Sequence, residues 1–377
     1  MALLGPRQCG KTTLARTLVS EEHINYFDLE DPRTLQRLAD PMLALGALRG
    51  TVVLDEIQRR PDIFPMLRVL ADRPRTPARF LILGSASPDL LRQSSESLAG
   101  RIEYIYMQGF STQEVGADAV DKHWLRGGFP RSYLARTDTD SLAWRRHFIR
   151  SFVERDLPAF GHDIDGLALQ RLWAMAAHYH GQILNTSNLA RSLAISDQSV
   201  RRYIQLLEGF FLLRTLKPWH SNLRKREVKA PKLYFADSGL LHAQLGLITR
   251  AELVRHPALG ASWEGYALTQ TIRTHRDCET YFWAAHSGAE LDLILRHGDR
   301  MVGVEFKHSD APQLSAAQYG LVSELGLDHL YAVYPQGHRY PMAQNVTAVP
   351  LGEWLMAGPW LPARVSRPRR KPKRELP

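Results

Sequence analysis

Nine residues near the amino terminus, Gly5-Pro6-Arg7-Gln8-Cys9-Gly10-Lys11-Thr12-Thr13, constrain this chain more than any other stretch. They fit G-x-x-x-x-G-K-[ST], a phosphate-cradling loop that joins a strand to a helix. Leu3-Leu4 supply the end of an apolar strand, and Lys11 to Val19 read as the first helix. Gly5 and Gly10 let the backbone fold tightly, so that successive N–H groups point into one concavity. The helix N-terminus adds partial positive charge for the phosphates. In such a loop Lys11 reaches the outer phosphates and the Thr12 hydroxyl ligates Mg²⁺. The plainer alternative is a glycine-rich turn carrying a surface lysine.

The chain continues as an α/β protein. Asn25 to Leu29 reads as a second strand, and Pro32 to Leu48 has helical periodicity. Thr51-Val-Val-Leu-Asp-Glu-Ile57 is an apolar strand ending in two carboxylates. Strands of this kind are buried on both faces of a parallel sheet, and ligands bind at their carboxyl ends. Asp55 can hold Mg²⁺ through water, while Glu56 can polarise an attacking water as a general base. Phe80 to Ser85 is a further buried strand, followed by Ala86 and Ser87. Ser85 would sit between the carboxylates and the terminal phosphate as a sensor, or serve only as a turn serine. Arg101, before a strand from Ile102 to Met107, could supply positive charge to a phosphoryl transition state, or be a surface arginine.

These residues carry a resemblance. Gly-Pro-Arg-Gln-x-Gly-Lys-Thr-Thr, Leu-Asp-Glu-Ile-Gln, Leu-Gly-Ser and Ala-Gly-Arg resemble the prokaryotic AAA-type ATPases first described from archaea. Trp124 to Pro130 and Phe152 to Leu157 extend the likeness, which covers nearly the whole chain. It implies the additional-strand P-loop fold, ATP with Mg²⁺ as cofactors, and a C-terminal domain of unknown function. Relatives carry a helical segment before the first strand, whereas Met1 lies inside that strand. The expectation is therefore that the native coding sequence starts further upstream.

Five regions are expected: an ATPase core over 1–120, a helical lid over 121–180, a winged helix-turn-helix over 181–245, a nuclease-like α/β domain over 246–362, and a disordered basic tail from 363. Trp144 to Leu157 and Leu167 to His180 look helical. Asn188 to Leu193, a turn at 194–196 and Asp197 to Glu208 read as helix-turn-helix. Gln198, Arg201, Arg202 and Gln205 can face outward, a composition suited to phosphates and base edges. The basic Arg224-Lys225-Arg226 between two strands would form the wing. From Gly181 to Ala230 nine Lys or Arg stand against three acids, which favours DNA. The competing reading is a lid or protein-interaction surface.

Further on, Trp263 to Ile272 is an amphipathic helix carrying Glu264. Strands over 280–284, 288–295 and 301–307 place Asp292, Glu305 and Lys307 in the order of the PD-(D/E)XK nuclease core. In that core an acid pair holds Mg²⁺ and the lysine positions the attacking water. Glu264 matches the helix carboxylate that some members add. Charged alternation on half-exposed strands is the alternative. Leu314 to Leu361 would complete the domain with a helix and a strand at 330–334.

Composition removes other classes. The 44% hydrophobic and 23% charged content is that of a globular chain. Two cysteines, Cys9 and Cys278, cannot build a disulfide framework, which suits a reducing cytoplasm. There is no run of about 18 apolar residues, and no apolar leader precedes the glycine loop. Of the net charge of +9, most belongs to the tail from Arg364 to Glu375, since 41 basic and 38 acidic residues remain without it. The tail is either simply solvated or in loose contact with nucleic-acid phosphates. A DNA or protein partner is expected, and oligomers are possible.

Overall fold

Short apolar runs build the first sheet, because its central strands are covered on both faces. The computed structural model describes all residues except 75–77, 86–95, 160–163, 221–227, 287 and 361–377. Ala86, Ser87, the basic Arg224 to Arg226 and the tail thus lie outside the described residues. The chain divides into two compact units, Met1–Thr215 with Pro231–Tyr266, and Leu216–Ala230 with the residues from Ala267 on.

In the first unit, β1 (Ala2–Gly5), β2 (Tyr26–Asp28), β3 (Gly50–Asp55), β4 (Ala78–Ser85) and β5 (Tyr104–Tyr106) form a five-stranded sheet. Its order is β2-β3-β4-β1-β5, and all its pairings are parallel. The strand β4 therefore separates the glycine-loop strand from the Asp55 strand, as the additional-strand arrangement requires. Helix α1 (Lys11–Leu18) follows β1 directly. The single helical stretch expected over 32–48 is two short helices, Pro32–Arg37 and Pro41–Gly46. Asp31 and Asp40 cap them, and each is followed by a proline at the first helical position, which starts a new helix.

The remainder of the first unit is helical. It comprises α2 (Val120–Arg126), α3 (Asp138–Ser151), α4 (Gly166–His178), α5 (Thr186–Leu193), α6 (Asp197–Gly209) and α7 (Ser238–Gln244). A small sheet of β6 (Gln182–Ile183), β8 (Lys232–Phe235) and β7 (Leu213–Leu216) accompanies them. The expected lid and helix-turn-helix share one apolar core, with Phe148, Leu169, Trp173, Leu189, Leu207 and Phe235 in a single cluster. Each such side chain contributes about 1.5–3 kcal/mol on burial. Lid and helix-turn-helix thus form one packed body.

Helix α3 runs into a π-helical turn, Phe152–Asp156, in which the Leu157 N–H donates to the Phe152 carbonyl. Pro158 explains the widening. It has no N–H, and in a regular α-helix its ring would strike the Glu154 carbonyl.

Buried histidines bind the helices of this unit together. The ring of His242 engages the Leu125 carbonyl at 2.9 Å and the Ser262 hydroxyl at 2.7 Å. Ser262 also accepts from Trp124 Nε1 at 2.9 Å. Burial pushes His242 down to about 3, so the ring is neutral at physiological pH.

The second unit is a six-stranded sheet in the order β13-β14-β12-β11-β10-β9. Its strands are β9 (Glu279–Ala284), β10 (Glu290–His297), β11 (Arg300–Phe306), β12 (His329–Tyr334), β13 (Tyr340–Ala343) and β14 (Val346–Pro350). The first three form an antiparallel meander, and β12 pairs with β11 in parallel. Helix α8 (Leu259–Thr274) precedes β9, and α9 (Ala316–Glu324) makes the crossover to β12. The boundary between the units falls inside α8, and 246–266 belongs to the first unit rather than to an α/β domain beginning at 246.

The two strands expected to flank the wing, β7 and β8, are neighbours in the small sheet. The stretch between β7 and β8, Leu216–Ala230, belongs to the second unit. There Trp219 N–H donates to the Phe282 carbonyl at 2.6 Å, and Val228 N–H donates to Ala284 at 3.0 Å. Its backbone extends the sheet beside β9. Sheet edges take up extended chain in this way because their N–H and C=O groups need partners.

Candidate active site

The glycine loop closes over the carboxyl end of β1. Gly10 sits at φ 105°, in the left-handed region that favours glycine, and it opens α1. A Cβ on Gly5 would lie 1.9 Å from the Met107 carbonyl oxygen, so no larger residue fits that turn. Lys11 is 6% exposed, and its ammonium donates to the carbonyls of Gly5 at 3.0 Å and Pro6 at 2.8 Å. The charge is thereby held in the mouth of the loop. Cys9 is buried under it, with Sγ 4.0 Å from Lys11 Nζ.

A cavity of about 440 Å³ opens beside this loop. Arg7, Gln8, Gly10, Lys11, Thr12 and Thr13 line one side; Glu56, Pro130, Arg131 and Arg155 complete it. Asp55 is 3% exposed and stands behind Glu56. Its Oδ2 accepts from the Tyr26 hydroxyl at 2.7 Å, and its Oδ1 accepts from the Glu56 N–H at 3.0 Å. Burial, reinforced by this carboxylate, raises the pKa of Tyr26. Parallel register places Asp28 beside Asp55 at the strand ends. Burial raises the Asp28 pKa, with the Asp55 charge adding to it.

Glu56 has φ 56° and ψ 45°, a left-handed conformation that costs a non-glycine residue about 1–3 kcal/mol. The turn carries its carboxyl group away from the sheet and toward the cavity. Burial raises its pKa, and Asp55 adds to the rise. A hydrogen bond from Gln58 and the Lys11 charge work in the opposite direction. A carboxylate shifted toward neutrality is a better proton acceptor at physiological pH.

Ser85 ends β4 directly opposite Gly5. It is fully buried, and its Oγ has no hydrogen-bond partner among the described residues. This places an orphaned buried hydroxyl at a strand end next to the glycine loop. Arg101 requires correction. Its Nε pairs with Asp72 at 2.5 Å, and it lines a separate cavity of about 450 Å³ with Met1, Leu67, Phe80 and Ile102. That cavity lies at the amino ends of the strands, whereas the glycine loop lies at their carboxyl ends, so Arg101 faces away from the site.

The residues around the loop suit a nucleotide polyphosphate with Mg²⁺. The loop and Lys11 provide the phosphate cradle, the Thr12 hydroxyl is at the cavity wall, and Asp55 is fixed behind it. Tyr26, Asp28, Arg131, Arg155 and Asp156 have places around the site that sequence reasoning missed. Arg155 stands in a segment that the resemblance had singled out, and Arg131 directly follows another, so a signal was present without a role attached.

Similarity to other proteins follows the same layout. A family profile described as an AAA domain matches residues 1–116. Two domains of unknown function, DUF8612 and DUF4143, match residues 117–251 and 259–354. Over 356 residues the chain is 47% identical to an uncharacterized protein of Mycobacterium tuberculosis, covering 94% of this chain and 81% of that protein. The chain belongs to this family of AAA-domain proteins with a C-terminal domain of unknown function. An uncharacterized protein of Mycobacterium bovis matches with the same identity and coverage. Protein VC1899 from Vibrio cholerae aligns over 93% of this chain and 94% of its own at 12% identity, but its TM-score of 0.17 carries no argument. The AAA domain thus holds the whole glycine loop with Asp55, Glu56 and Ser85, an ATPase-type core. Among the described residues no helix is long and apolar enough to cross a membrane.

Two candidate sites lie beyond the AAA domain. In the helix-turn-helix, Ala194 turns the chain at φ 54°, and the Ser196 hydroxyl accepts from Ser199 N–H at 3.0 Å to cap α6. Val200, Tyr203, Ile204 and Leu207 are buried, while Gln198, Arg201, Arg202 and Gln205 are exposed. Arg201 pairs with Asp197 at 2.6 Å on that face.

In the second unit, Asp292 and Glu305 are 7% and 4% exposed on adjacent strands. The register Leu293↔Val304, continued by one residue, sets them opposite each other. Asp292 Oδ2 accepts from Phe306 N–H at 2.9 Å, and Lys307 Nζ donates to Glu305 Oε1 at 2.7 Å. Glu264, the carboxylate expected beside them, is engaged on its own helix's side. It lies in the first unit, where its Oε1 accepts from Lys232 Nζ at 3.0 Å and the Tyr234 hydroxyl at 2.6 Å. Lys232 is almost fully buried and needs a counter-charge. Among the described residues no group of three or more His, Cys, Asp or Glu side chains is arranged to hold a metal ion.

Proposed function

We propose that the first unit binds ATP with Mg²⁺ and hydrolyses it, and that turnover is coupled to DNA through the exposed face of α6. The supporting observation is that Glu56, Lys11 and Thr12 open onto one cavity while Asp55 is held immediately behind them. Glu56 takes the proton of the attacking water. Lys11 and the loop N–H groups neutralise the phosphates, and Thr12 and Asp55 hold Mg²⁺. Ser85, between the glycine-loop strand and the Asp55 strand, is the group that contacts both the terminal phosphate and the water. The shared core of lid and helix-turn-helix gives a rigid path from the loop to α6.

ATP turnover measured with and without duplex DNA tests this reading. DNA should raise the rate several-fold. In Arg201→Ala/Arg202→Ala that stimulation should be lost, and the salt dependence of DNA binding should flatten by about one to two in log–log slope. A basal rate that ignores DNA removes the coupling and leaves a protein partner or a nucleotide-gated interaction module. Absence of Mg²⁺-dependent turnover removes the ATPase.

A second reading is favoured by the neighbouring Asp292, Glu305 and Lys307. The order of α8, β9, β10, β11, α9 and β12 is that of a PD-(D/E)XK core. In this reading the second unit is a Mg²⁺-dependent DNA nuclease that ATP regulates. Cleavage should cease in Asp292→Ala with ATP turnover unchanged; wild-type protein that cuts neither single-stranded nor duplex DNA sinks the reading.

A further inference from the structure

Four cations line the cavity beside the glycine loop, with Glu56 as the single acid among its lining residues. Two of the four are already engaged. Lys11 is held by loop carbonyls, and Arg7 pairs with the buried Asp156 and with Glu30 at 3.7 Å. Arg131 and Arg155 differ: both are exposed, and neither has an ion-pair partner among the described residues. Their placement follows from the local fold. The π-helical turn at 152–156 turns Asp156 inward against the glycine loop and leaves Arg155 at the cavity wall. Such turns recur at functional sites because they re-aim side chains within a helix. Arg131 follows Pro130 at the start of a short helix, and the Gly128 N–H that precedes them donates to Asp237 Oδ2 at 2.7 Å. Both guanidinium groups thus sit on anchored backbone of the same chain.

We infer that Arg155, assisted by Arg131, is a catalytic residue that neutralises the γ-phosphoryl oxygens in the transition state, so that one chain completes its own hydrolytic site. This rests on the ATPase reading above. Water oxygen bonds to the γ-phosphorus as the bond from that phosphorus to the β–γ bridging oxygen breaks. The bonding pair leaves with the β-phosphate, and the water proton passes to Glu56. Negative charge on the three equatorial oxygens is what a planar fork of donors meets best. Charge supplied this way favours the transition state over bound ATP, so its loss lowers kcat more than it raises the dissociation constant.

The experiment compares wild type, Arg155→Ala, Arg155→Lys and Arg131→Ala. Arg155→Ala should lower kcat by about 10³-fold, the low end of the range of an arginine acting on a phosphoryl transition state. ATP affinity should change by less than about three-fold, and Arg155→Lys should restore part of the rate. Affinity for ADP with aluminium fluoride should fall by about the same factor as kcat, while ADP affinity stays constant. The rate per chain should not vary with protein concentration. Wild-type kcat in both alanine variants overturns the inference. It is equally overturned if mixing Arg155→Ala with Lys11→Ala chains restores turnover, since the arginine would then come from a second copy. Wild type that hydrolyses nothing fails at the ATPase reading, before any arginine is compared.

Discussion

Glu56→Gln should lower ATP turnover by about 10²–10⁴-fold while leaving ATP binding intact, the range expected when a general base is removed. The amide keeps the size of the side chain but cannot accept the water proton. Substitution also leaves the Glu56 N–H to Asp55 bond in place, since that bond is made by the backbone. The left-handed conformation of residue 56 should survive as well. The measurement is steady-state phosphate release set beside a direct ATP binding isotherm. Unchanged turnover removes Glu56 from the mechanism. In wild type, burial raises the Glu56 pKa, so the acidic limb of the kcat profile should lie above the ordinary glutamate range. Activity is lost as pH falls through that raised pKa, because the protonated carboxyl no longer accepts. A limb at or below the ordinary glutamate pKa would assign it to another group.

Lys11→Ala should act at the binding step and weaken ATP by about 100-fold or more. A buried ammonium touching two loop carbonyls contributes through charge-assisted bonds, and its phosphate contacts are made in ground and transition state alike. Calorimetric titration of ATP and ADP checks this. Comparable affinity for ATP in wild type and variant would mean that the loop does not hold phosphate. Thermal unfolding of the variant separates lost contact from lost fold. The carbonyls of Gly5 and Pro6 would lose their donor, so a modest fall in Tm is expected beside the binding defect.

Local chemistry explains what was legible early. The glycine loop announces itself because phosphate cradling needs glycine at Gly10 and a lysine and hydroxyl immediately after it. The strand ending in Asp55-Glu56 reads as buried because Val52, Val53 and Leu54 are apolar on both faces. The outward face of α6 followed from period alone, since Gln198, Arg201, Arg202 and Gln205 alternate with its apolar stripe. Longer-range assignments fared differently. Arg101 had the right charge and a suggestive neighbourhood in sequence, yet it lies at the amino ends of the strands, whereas the loop lies at their carboxyl ends. Glu264 is on the expected helix, and its bonds to Lys232 and Tyr234 join segments some thirty residues apart, which no local pattern announces. Arg155 was passed over because Asp156, its neighbour, faces Arg7 only through a turn that Pro158 widens.

What the sequence determined by itself was therefore the chemistry carried on single segments: a phosphate loop, a carboxylate pair at a strand end, a capped helix with a polar outer face, and an Asp…Glu-x-Lys run. These are set by backbone periodicity and by residues within a few positions of one another. Tertiary structure alone decided which segments meet: β4 between β1 and β3, Arg131 and Arg155 at the cavity wall, Glu264 with Lys232, and Leu216–Ala230 beside β9. Such meetings depend on side-chain packing and on the pairing of sheet edges across long sequence separations. No local pattern encodes them, because the partner that satisfies a buried charge or an open strand edge can come from anywhere in the chain.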